Sequence, residues 1–179
     1  MKEIDRDWGN WFAGFTDGEG SFLINKRYRN NPCGDYQCRF AIQLRDDDRV
    51  ILEEIHETLG LGTLYDRPAN TRGGHNCQPS TMFHVATIND CAELVKVFDK
   101  YPLRAKKKRD FDIWKTAVGE VQKPIDERDA ELLEYCYQEI REVRKYGRRE
   151  VLVIPKKIEL QLSIEFADAL ELHGACSRH

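Results

Sequence analysis

The sequence contains no run of about eighteen or more apolar residues, the length that a membrane-spanning helix requires. Its first residues, MKEIDRDWGNWF, lack the apolar stretch and cleavage site of a secretory signal. We therefore expect an intracellular protein without a membrane partner, in a bacterial cytoplasm or nucleoid or in an organelle matrix. The chain also has no excess of positive charge: 28 Lys and Arg oppose 31 Asp and Glu, for a net charge of −3. That total argues against a nucleic-acid partner, because phosphates require a positive surface.

The charges are distributed unevenly along the chain. Residues 22–45 carry five cations and one acid, and the segment RAKKKR at 104–109 carries five cations and no acid. Residues 120–142 instead carry eight acids and three cations. A local basic face matters more for nucleic-acid binding than the total charge. The sequence thus predicts a basic surface in one part of the protein and an acidic helix, over about 126–142, that lies away from any nucleic acid bound by the basic surface.

Six cysteines are spread over the 179 residues without the regular spacing of a zinc site. Cys33 and Cys38, with His75 and Cys77 downstream, leave zinc as a minor alternative, because these side chains are suitable ligands. An even number of cysteines indicates disulfides chiefly in short secreted chains. In a reducing compartment we expect free thiols, several of them buried.

Apolar periodicity predicts a helix, a pair of strands and a second helix at the start of the chain. The first helix runs through WGNWFAGFTDG, with Asp5 or Asp7 as its N-cap and the glycines of DGEG at its end. The alternating segments SFLINKRYR and YQCRFAIQLR are two strands of a hairpin. RDDD then provides the N-cap of VILEEIHETLG, which ends at Gly60. The apolar face of this helix is predicted to consist of Val50, Ile51, Ile55 and Leu59.

The same pattern then repeats. GTLYDR begins a third strand, TMFHVAT is a fourth, and Asn89 or Asp90 caps a helix through CAELVKVFDK. RAKKKRDFDIWKTAV becomes helical, an acidic helix covers about 126–146, and Pro155 opens a last helix. The order α-β-β-α-β-β-α predicts an α+β fold, a four-stranded antiparallel sheet with helices on one face. The other face of the strands would carry Lys26, Gln37, Arg39, Gln43, Arg45, Arg67 and Arg72.

Residues 12–20, FAGFTDGEG, resemble the LAGLIDADG motif of homing endonucleases position by position. The run LRDDDRVILEEIHETLGLG resembles the strand end, helix and third-strand start of single-motif members, and PLRAKKKRDFDIW resembles their later basic segment. The resemblance covers about residues 8–118 and implies the αββαββα fold with a saddle-shaped sheet. We therefore expect an endonuclease core at residues 1–118 and a C-terminal helical extension packed on it at residues 119–179.

The resemblance implies that two motif helices pack together at a twofold axis. Gly14 and Gly18 are spaced i, i+4 and share one helical face, where small residues allow close approach. Each glycine in a helix costs about 1 kcal/mol relative to alanine, so two of them call for such a reason. Because the chain contains one copy of the motif, a homodimer and a long pseudo-palindromic target are predicted. The predicted dimer interface consists of Trp11, Phe12, Ala13, Gly14 and Phe15.

The resemblance also implies a metal-dependent catalytic site at the end of the motif helix. Glu19 stands where the family has its catalytic acid, and Glu19 and Gly18 are the predicted metal-site residues. The expected cofactor is Mg²⁺, with Mn²⁺ as a substitute, because phosphodiester hydrolysis requires a hard cation that binds oxygen and activates water. Asp17 is expected to be mainly structural.

Basic and polar side chains complete the predicted site. Lys106 corresponds to a basic residue near the scissile phosphate and would stabilise transition-state charge, a role that Lys108 could share. Gln43 is included among the predicted catalytic residues because it lies near the position from which family members order waters. In this sequence, Leu44 stands where some relatives carry glutamine. Side chains of Arg, Lys, Asn and Gln contact bases and phosphates. The predicted DNA-binding residues are Asn25, Arg27, Arg29, Gln37, Arg39, Gln43, Arg45, Arg67, Asn70, Arg72, Lys106 and Lys108.

The function that the resemblance implies is that of a homing endonuclease. Such a homodimer hydrolyses one phosphodiester on each strand of double-stranded DNA and leaves short cohesive ends. The alternative is a non-cleaving relative, either a maturase that assists splicing of its intron RNA or a DNA-binding regulator, and loss of the carboxylate at position 19 would favour it. That carboxylate is present. A third interpretation, an α+β protein with chance motif identity, would require that the protein fails to bind DNA at low salt.

Overall fold

The computed structural model describes the chain in three segments, residues 3–26, 36–69 and 78–142. These segments contain helices, strands and two short 3₁₀ turns. The helices are α1 (Arg6–Glu19), α2 (Arg49–Leu59), α3 (Ile88–Lys100), α4 (Lys107–Gln122) and α5 (Ala130–Glu142). The strands are β1 (Gly20–Lys26), β2 (Tyr36–Arg45), β3 (Thr63–Arg67) and β4 (Ser80–Val85), and the 3₁₀ turns are Asp46–Asp48 and Ile125–Glu127.

The motif helix α1 begins at a side-chain cap and ends directly in a strand. The Asp5 carboxylate accepts hydrogen bonds from the backbone N–H groups of Asp7 at 2.9 Å and Trp8 at 3.2 Å, so Asp5 is the cap of the two candidates. A Cβ atom at Gly20, the first residue of β1, would lie 2.7 Å from the carbonyl oxygen of Thr16. Helix and strand can therefore join without a loop because this residue is glycine.

The strands form one antiparallel sheet in the order β1-β2-β4-β3. In the central strand β2, Phe40 lies opposite Phe22 of β1 and Val85 of β4. Alternate residues of the strands are buried under the helices, as the alternation of apolar and polar residues predicts. The predicted fold class is confirmed, and β2 coincides with the predicted segment YQCRFAIQLR.

An aromatic cluster joins the helices to the covered face of the sheet. The ring centroid of Phe22 lies 5.1 Å from that of Phe40, 5.2 Å from that of Trp114 in α4 and 5.8 Å from that of Phe98 in α3. Phe12 of α1 stacks on Phe98 at 5.3 Å. Each of these buried rings contributes roughly 1.5–3 kcal/mol of hydrophobic stabilisation, so α1, α3 and α4 are held to the sheet by one shared core.

Two details of the predicted helices are wrong. Val50 is 70% exposed, whereas Leu52 is buried, because α2 buries the stripe of Leu52, Ile55 and Leu59. The cap of α3 is Thr87, whose hydroxyl accepts a hydrogen bond from the backbone N–H of Asp90 at 3.1 Å. A threonine that precedes the first helical turn competes well with aspartate for this position.

Helices α4 and α5 pack on the core without a break at residue 118. The predicted boundary between residues 118 and 119 falls inside α4, and α5 packs against both α4 and β1. The acidic helix begins at Ala130 rather than near residue 126. The helices predicted beyond residue 142 and from Pro155 lie outside the described residues. In the described ranges, no helix is both long and apolar enough to cross a membrane.

Candidate functional site

The uncovered face of the sheet is polar and carries the strand residues selected from the sequence. The register pairs Asn25 with Gln37 and Leu23 with Arg39, and it aligns Arg45, Ser80 and Arg67 in one row across the sheet. We call this surface the open face. Of the predicted DNA-binding residues, it holds Asn25, Gln37, Arg39, Gln43, Arg45 and Arg67. Four others, Arg27, Arg29, Asn70 and Arg72, lie outside the described residues.

Hydrogen bonds order several side chains of the open face. The Gln43 carboxamide donates to the Ser80 hydroxyl at 2.9 Å and accepts from Arg67 at 3.2 Å. Arg39 donates to the Gln37 carboxamide oxygen at 2.7 Å. Among the described residues, the one open-face arginine paired with an acid is Arg45, 3.2 Å from Asp47. That pair is largely exposed and contributes little, so the face remains positive.

Lys26 was predicted on this face, and that prediction is wrong. Its side chain lies on the helix side of the sheet, where its ammonium is 2.6 Å from the Glu134 carboxylate of α5. The reason is the two-residue period of a strand: Asn25 is on the open face, so its neighbour points to the opposite side.

Two open-face residues, His84 and Tyr65, were missed by sequence reasoning. Their ring centroids lie 5.8 Å apart, across the β3–β4 pair. Partial burial lowers the pKa of the His84 imidazole below its usual value, and the charges of Arg39 and Arg67 lower it further. The signal was available, because strict alternation in TMFHVAT places the residue after Phe83 on the opposite face.

Glu19 is the last residue of α1, and its side chain is exposed. The last carbonyl groups of a helix lack intrahelical partners and carry the negative end of the helix dipole. The Glu19 carboxylate and the Gly18 carbonyl therefore offer oxygen ligands in a region that favours a cation, which fits Mg²⁺. Within the described segments, no group of three or more His, Cys, Asp or Glu side chains could hold a metal. Further ligands would have to come from a second chain, from phosphate or from water.

Asp17 joins the motif helix to the basic segment. Its carboxylate accepts hydrogen bonds from the backbone N–H groups of Arg104 at 2.8 Å and Ala105 at 3.1 Å. Lys106 follows directly and is exposed at the start of α4. Asp17 thereby fixes the backbone next to Lys106. A clue lay in the sequence, because an acid in the last helical turn opposes the helix dipole and calls for a partner.

Lys108 differs from Lys106 in its surroundings. Its ammonium is 2.8 Å from the Asp112 carboxylate one helical turn later. The charge of Lys108 is thus partly neutralised within α4, and Lys106 is the better placed of the two to meet a phosphate.

The residues predicted for the dimer interface lie on two different sides of α1. Trp11 is 41% exposed and stacks on Phe15 at 5.3 Å, and Gly14 is exposed beside them. Phe12 is 0% exposed and Ala13 is buried. Phe12 and Ala13 belong to the chain's own core, so their assignment to an interface is corrected. Because α1 is apolar on two sides, the periodicity of its apolar residues cannot tell the side in the core from the exposed side.

The exposed face of α1 also contains both glycines of the predicted helix contact. Among the described residues, a Cβ atom added at Gly14 or Gly18 would meet no atom within 4 Å. Packing among residues 3–26, 36–69 and 78–142 therefore does not require glycine at either position.

The cysteines of the core are uncharged thiols. Cys38, Cys91 and Cys136 are free and buried, and burial raises the pKa of Cys91 and of Cys136 to about 12 and that of Cys38 even further. Because Cys38 faces this core, it cannot ligate zinc at the surface. Cys33, His75 and Cys77 lie outside the described residues.

Comparison with known proteins places this geometry in a family. Residues 12–118 match the family model described as LAGLIDADG endonuclease. The chain belongs to the LAGLIDADG endonuclease family. It is 27% identical over 107 residues to the "Probable intron-encoded endonuclease Cox1-I1b" of Schizosaccharomyces pombe. That match covers 60% of this chain and 26% of the relative, so the chain spans about a quarter of that protein's length.

Solved LAGLIDADG structures share the fold. The chain is similar to the meganuclease I-AabMI bound to uncleaved DNA, at 29% identity and a TM-score of 0.52, over 66% of this chain and 37% of that one. It is also similar to the archaeal intron-encoded homing endonuclease I-Vdi141I complexed with DNA, at 21% identity and a TM-score of 0.65. The second match covers 83% of this chain and 91% of that one. The predicted LAGLIDADG family and fold are therefore confirmed.

Proposed function

We propose that the protein is a site-specific DNA endonuclease of the homing type. It acts as a homodimer on a long pseudo-palindromic site in double-stranded DNA, hydrolyses one phosphodiester on each strand and leaves short cohesive ends. It works inside the cell, in an organelle matrix or in a bacterial cytoplasm or nucleoid. The DNA-bound structures of similar proteins support DNA as the partner.

The observation that carries the proposal is the continuity between Glu19 and the open face. The exposed carboxylate ends α1, and β1 begins at the next residue. A ribbon of strands fits the major groove, and arginine and glutamine side chains on such a ribbon contact bases and phosphates. One chain thus holds a candidate cleaving group beside a positive surface suited to DNA.

In the proposed homodimer, a second chain completes the site. One copy of the motif provides one Glu19, whereas cutting two strands needs two such carboxylates. The exposed face with Trp11, Gly14 and Gly18 supports a symmetric contact between two α1 helices. Glu19 and the Gly18 carbonyl of each chain would then lie near the twofold axis.

Each side chain of the site has a separate task. Mg²⁺, or Mn²⁺ in its place, would be held by Glu19 and Gly18 and would supply charge neutralisation and an activated water. Lys106 stabilises negative charge that develops on the phosphate. Gln43, exposed and ordered by Ser80 and Arg67, binds water or phosphate near the centre of the site. The open-face arginines hold the DNA in register.

A cleavage assay tests the proposal directly. The substrate is a plasmid in which the sequences that flank the gene are joined without it, incubated with Mg²⁺ or with EDTA. The wild-type protein is expected to make one metal-dependent double-strand cut, and Glu19→Gln is expected to bind the DNA without cutting it. Glu57→Gln, at an exposed position of α2, removes the same charge elsewhere and should cut normally.

Other results of these assays would indicate a different function. Tight DNA binding without any cut by the wild-type protein would indicate a regulator or a maturase, and intron RNA would be the next substrate. Absence of DNA binding at low salt would contradict the whole proposal.

A further inference from the structure

The end of the β1–β2 hairpin is bound to α5 through one carboxylate. Lys26 and Tyr36 form the last described pair of the hairpin register. Oxygen Oε2 of Glu134 accepts hydrogen bonds from the Lys26 ammonium at 2.6 Å and from the Tyr36 hydroxyl. Its other oxygen, Oε1, accepts one from the Gln138 carboxamide at 2.6 Å. Three donors from two strands and a helix therefore converge on a single side chain, which we call the Glu134 clamp.

At neutral pH, Glu134 and Lys26 of the clamp are charged and Tyr36 is protonated. The hydrogen bond from Lys26 lowers the pKa of Glu134 to about 2, and the hydrogen bond to Glu134 raises the pKa of Lys26. Burial, with a further contribution from Glu134, raises the pKa of Tyr36 to about 12. The tyrosine thus retains the proton that it donates.

The clamp also has a defined shape. The Lys26 ammonium lies 5.3 Å from the centroid of the Tyr36 ring, and the Tyr137 ring of α5 meets the same ring edge-on at 6.2 Å. Side chains of Lys26 and Glu134 remain 30% and 38% exposed, so the ion pair alone contributes little to global stability. The three converging hydrogen bonds therefore fix the orientation of the hairpin end relative to α5 more than they increase the free energy of unfolding.

The position of the clamp relates it to DNA recognition. Asn25 and Gln37 are the sequence neighbours of Lys26 and Tyr36, and they lie on the open face on the other side of the same strands. Arg39, which donates to Gln37, is the next open-face residue of β2. A tilt of the hairpin end relative to α5 would therefore move all three.

We propose that Glu134 is a positioning residue that fixes the Lys26–Tyr36 end of the hairpin to α5 and thereby sets how Asn25, Gln37 and Arg39 meet the DNA. This inference rests on the proposed endonuclease function. It assigns a role in recognition to a helix that lies outside the family match at residues 12–118.

In Glu134→Gln, the loss of a negative charge and the loss of the clamp are expected to change DNA affinity in opposite directions. The variant removes one negative charge, which by itself should strengthen binding to phosphates. The clamp predicts that affinity for the specific site falls by about tenfold, because charge-assisted hydrogen bonds that orient the hairpin are weakened. Affinity for non-specific DNA should stay the same or rise. Glu131→Gln, at an exposed position of the same helix, makes the same charge change and should leave the specific affinity unchanged or slightly higher.

Hydrogen exchange of the free protein tests the clamp without DNA. Glu134→Gln is expected to accelerate exchange in peptides from β1 and from the first half of β2, with no change in β3 and β4. Lys26→Met should do the same, and the double variant should be no worse than the stronger single one. A uniform increase over all strands would reveal general destabilisation and overturn the proposal.

The two assays separate the failure of the clamp from the failure of the proposed function. Unchanged hairpin exchange, or a specific affinity that rises equally in Glu134→Gln and Glu131→Gln, would overturn the clamp. A wild-type protein that binds no DNA would overturn the endonuclease proposal and the role of the clamp in recognition together. The exchange assay would in that case still decide whether Glu134 fixes the hairpin.

Discussion

Asp17 and Glu19 stand two residues apart on α1 and differ in what surrounds them. The Asp17 carboxylate is occupied by two backbone N–H groups of the segment before α4. Glu19 is exposed at the helix end, where the free carbonyls favour a cation over an anion. The Asp17 carboxylate therefore anchors the segment before α4 to α1, whereas the Glu19 carboxylate is accessible to a cation or a substrate.

This difference predicts opposite stability effects at the two positions. Asp17→Ala leaves the N–H groups of Arg104 and Ala105 without their acceptor, and it should lower the free energy of unfolding by about 1–3 kcal/mol. Glu19→Gln should leave it unchanged or slightly increase it. Urea denaturation of both variants measures the effect, and equal stability of the two would contradict the assignment.

His84 gives the protein a pH dependence of a definite sign. Its pKa is lower in the folded chain than the usual 6.5, so as pH falls below 6.5 the unfolded chain takes up the proton first. Stability is therefore lost as pH falls from 6.5 toward the folded pKa, and above 6.5 this residue adds no pH dependence. Melting temperatures measured at several pH values should show a smaller acid-side decrease for His84→Gln than for the wild-type protein. Parallel curves would show that the open face does not disfavour the imidazolium.

At the scale of elements, α5 is an acidic helix with an apolar side in the core. Leu132, Leu133, Cys136 and Ile140 are buried, whereas Glu131 and Glu142 are exposed. Its contacts with the sheet are made through β1 and through Tyr36 of β2, on the helix-covered side. The negative net charge of the chain is thus partly carried by an element behind the open face, which reconciles that total with the proposed DNA binding.

Charge reversal on α5 should therefore have little effect on DNA affinity. Glu131→Lys combined with Glu142→Lys is expected to change the specific dissociation constant by less than about threefold at physiological salt, because α5 packs on the side of the sheet opposite the open face and salt screens exposed charges. Arg39→Gln on the open face removes one charge and should weaken binding by about tenfold. Fluorescence anisotropy with labelled DNA compares them, and a large gain for the α5 variant would place that helix at the DNA.

Elements that depend on local periodicity could be predicted from the sequence, whereas contacts between distant residues could not. The alternation in YQCRFAIQLR defines β2 and its two faces, and the motif locates α1 and Glu19. The hydrogen bond between Lys26 and Glu134 joins residues 108 positions apart, and that between Asp17 and Arg104 spans 87. No local pattern encodes such pairs. Periodicity also could not separate Phe12 from Trp11, because one lies in the core and the other at the surface of the same apolar helix.

At the scale of the whole molecule, the proposed dimer depends on a surface that the described part of the chain leaves open. Trp11 and Phe15 stack on each other beside Gly14, and Gly18 lies one turn further along. The glycines lower the stability of an isolated helix by about 1 kcal/mol each. A second α1 that approaches closely would offset this cost.

Gly14→Ala should therefore stabilise the monomer and weaken the dimer. With no atom within 4 Å of the new Cβ among the described residues, the free energy of unfolding at monomeric dilution should rise by up to about 1 kcal/mol. Sedimentation equilibrium should show weaker self-association, because the methyl group lies between the helices. Unchanged self-association would place the interface elsewhere.

Gly9→Ala is the matched control on the same helix. Its Cβ would lie 2.5 Å from the Tyr101 ring, and the Tyr101 hydroxyl is held by the carbonyl of Ile4 at 2.9 Å. The ring cannot yield freely, so the variant should lose about 1–3 kcal/mol of stability through overpacking. A stabilised Gly9→Ala would contradict this account of the two glycines.

Because β1 begins directly after α1, the junction would also set the distance along the DNA between Glu19 and the residues of β1 in the proposed complex. Alternate strand residues are about 6.6 Å apart, and a base pair occupies about 3.4 Å, so in the proposed complex Ser21, Leu23 and Asn25 would advance by about two base pairs each from the bond cut beside Glu19. One inserted residue at Gly20 would turn Phe22 out of the core and Ser21 into it. In the proposed endonuclease, the interval from cut to recognised base would thus be set by the backbone, and new targets would be reached by exchanging side chains on the open face rather than by lengthening a hinge.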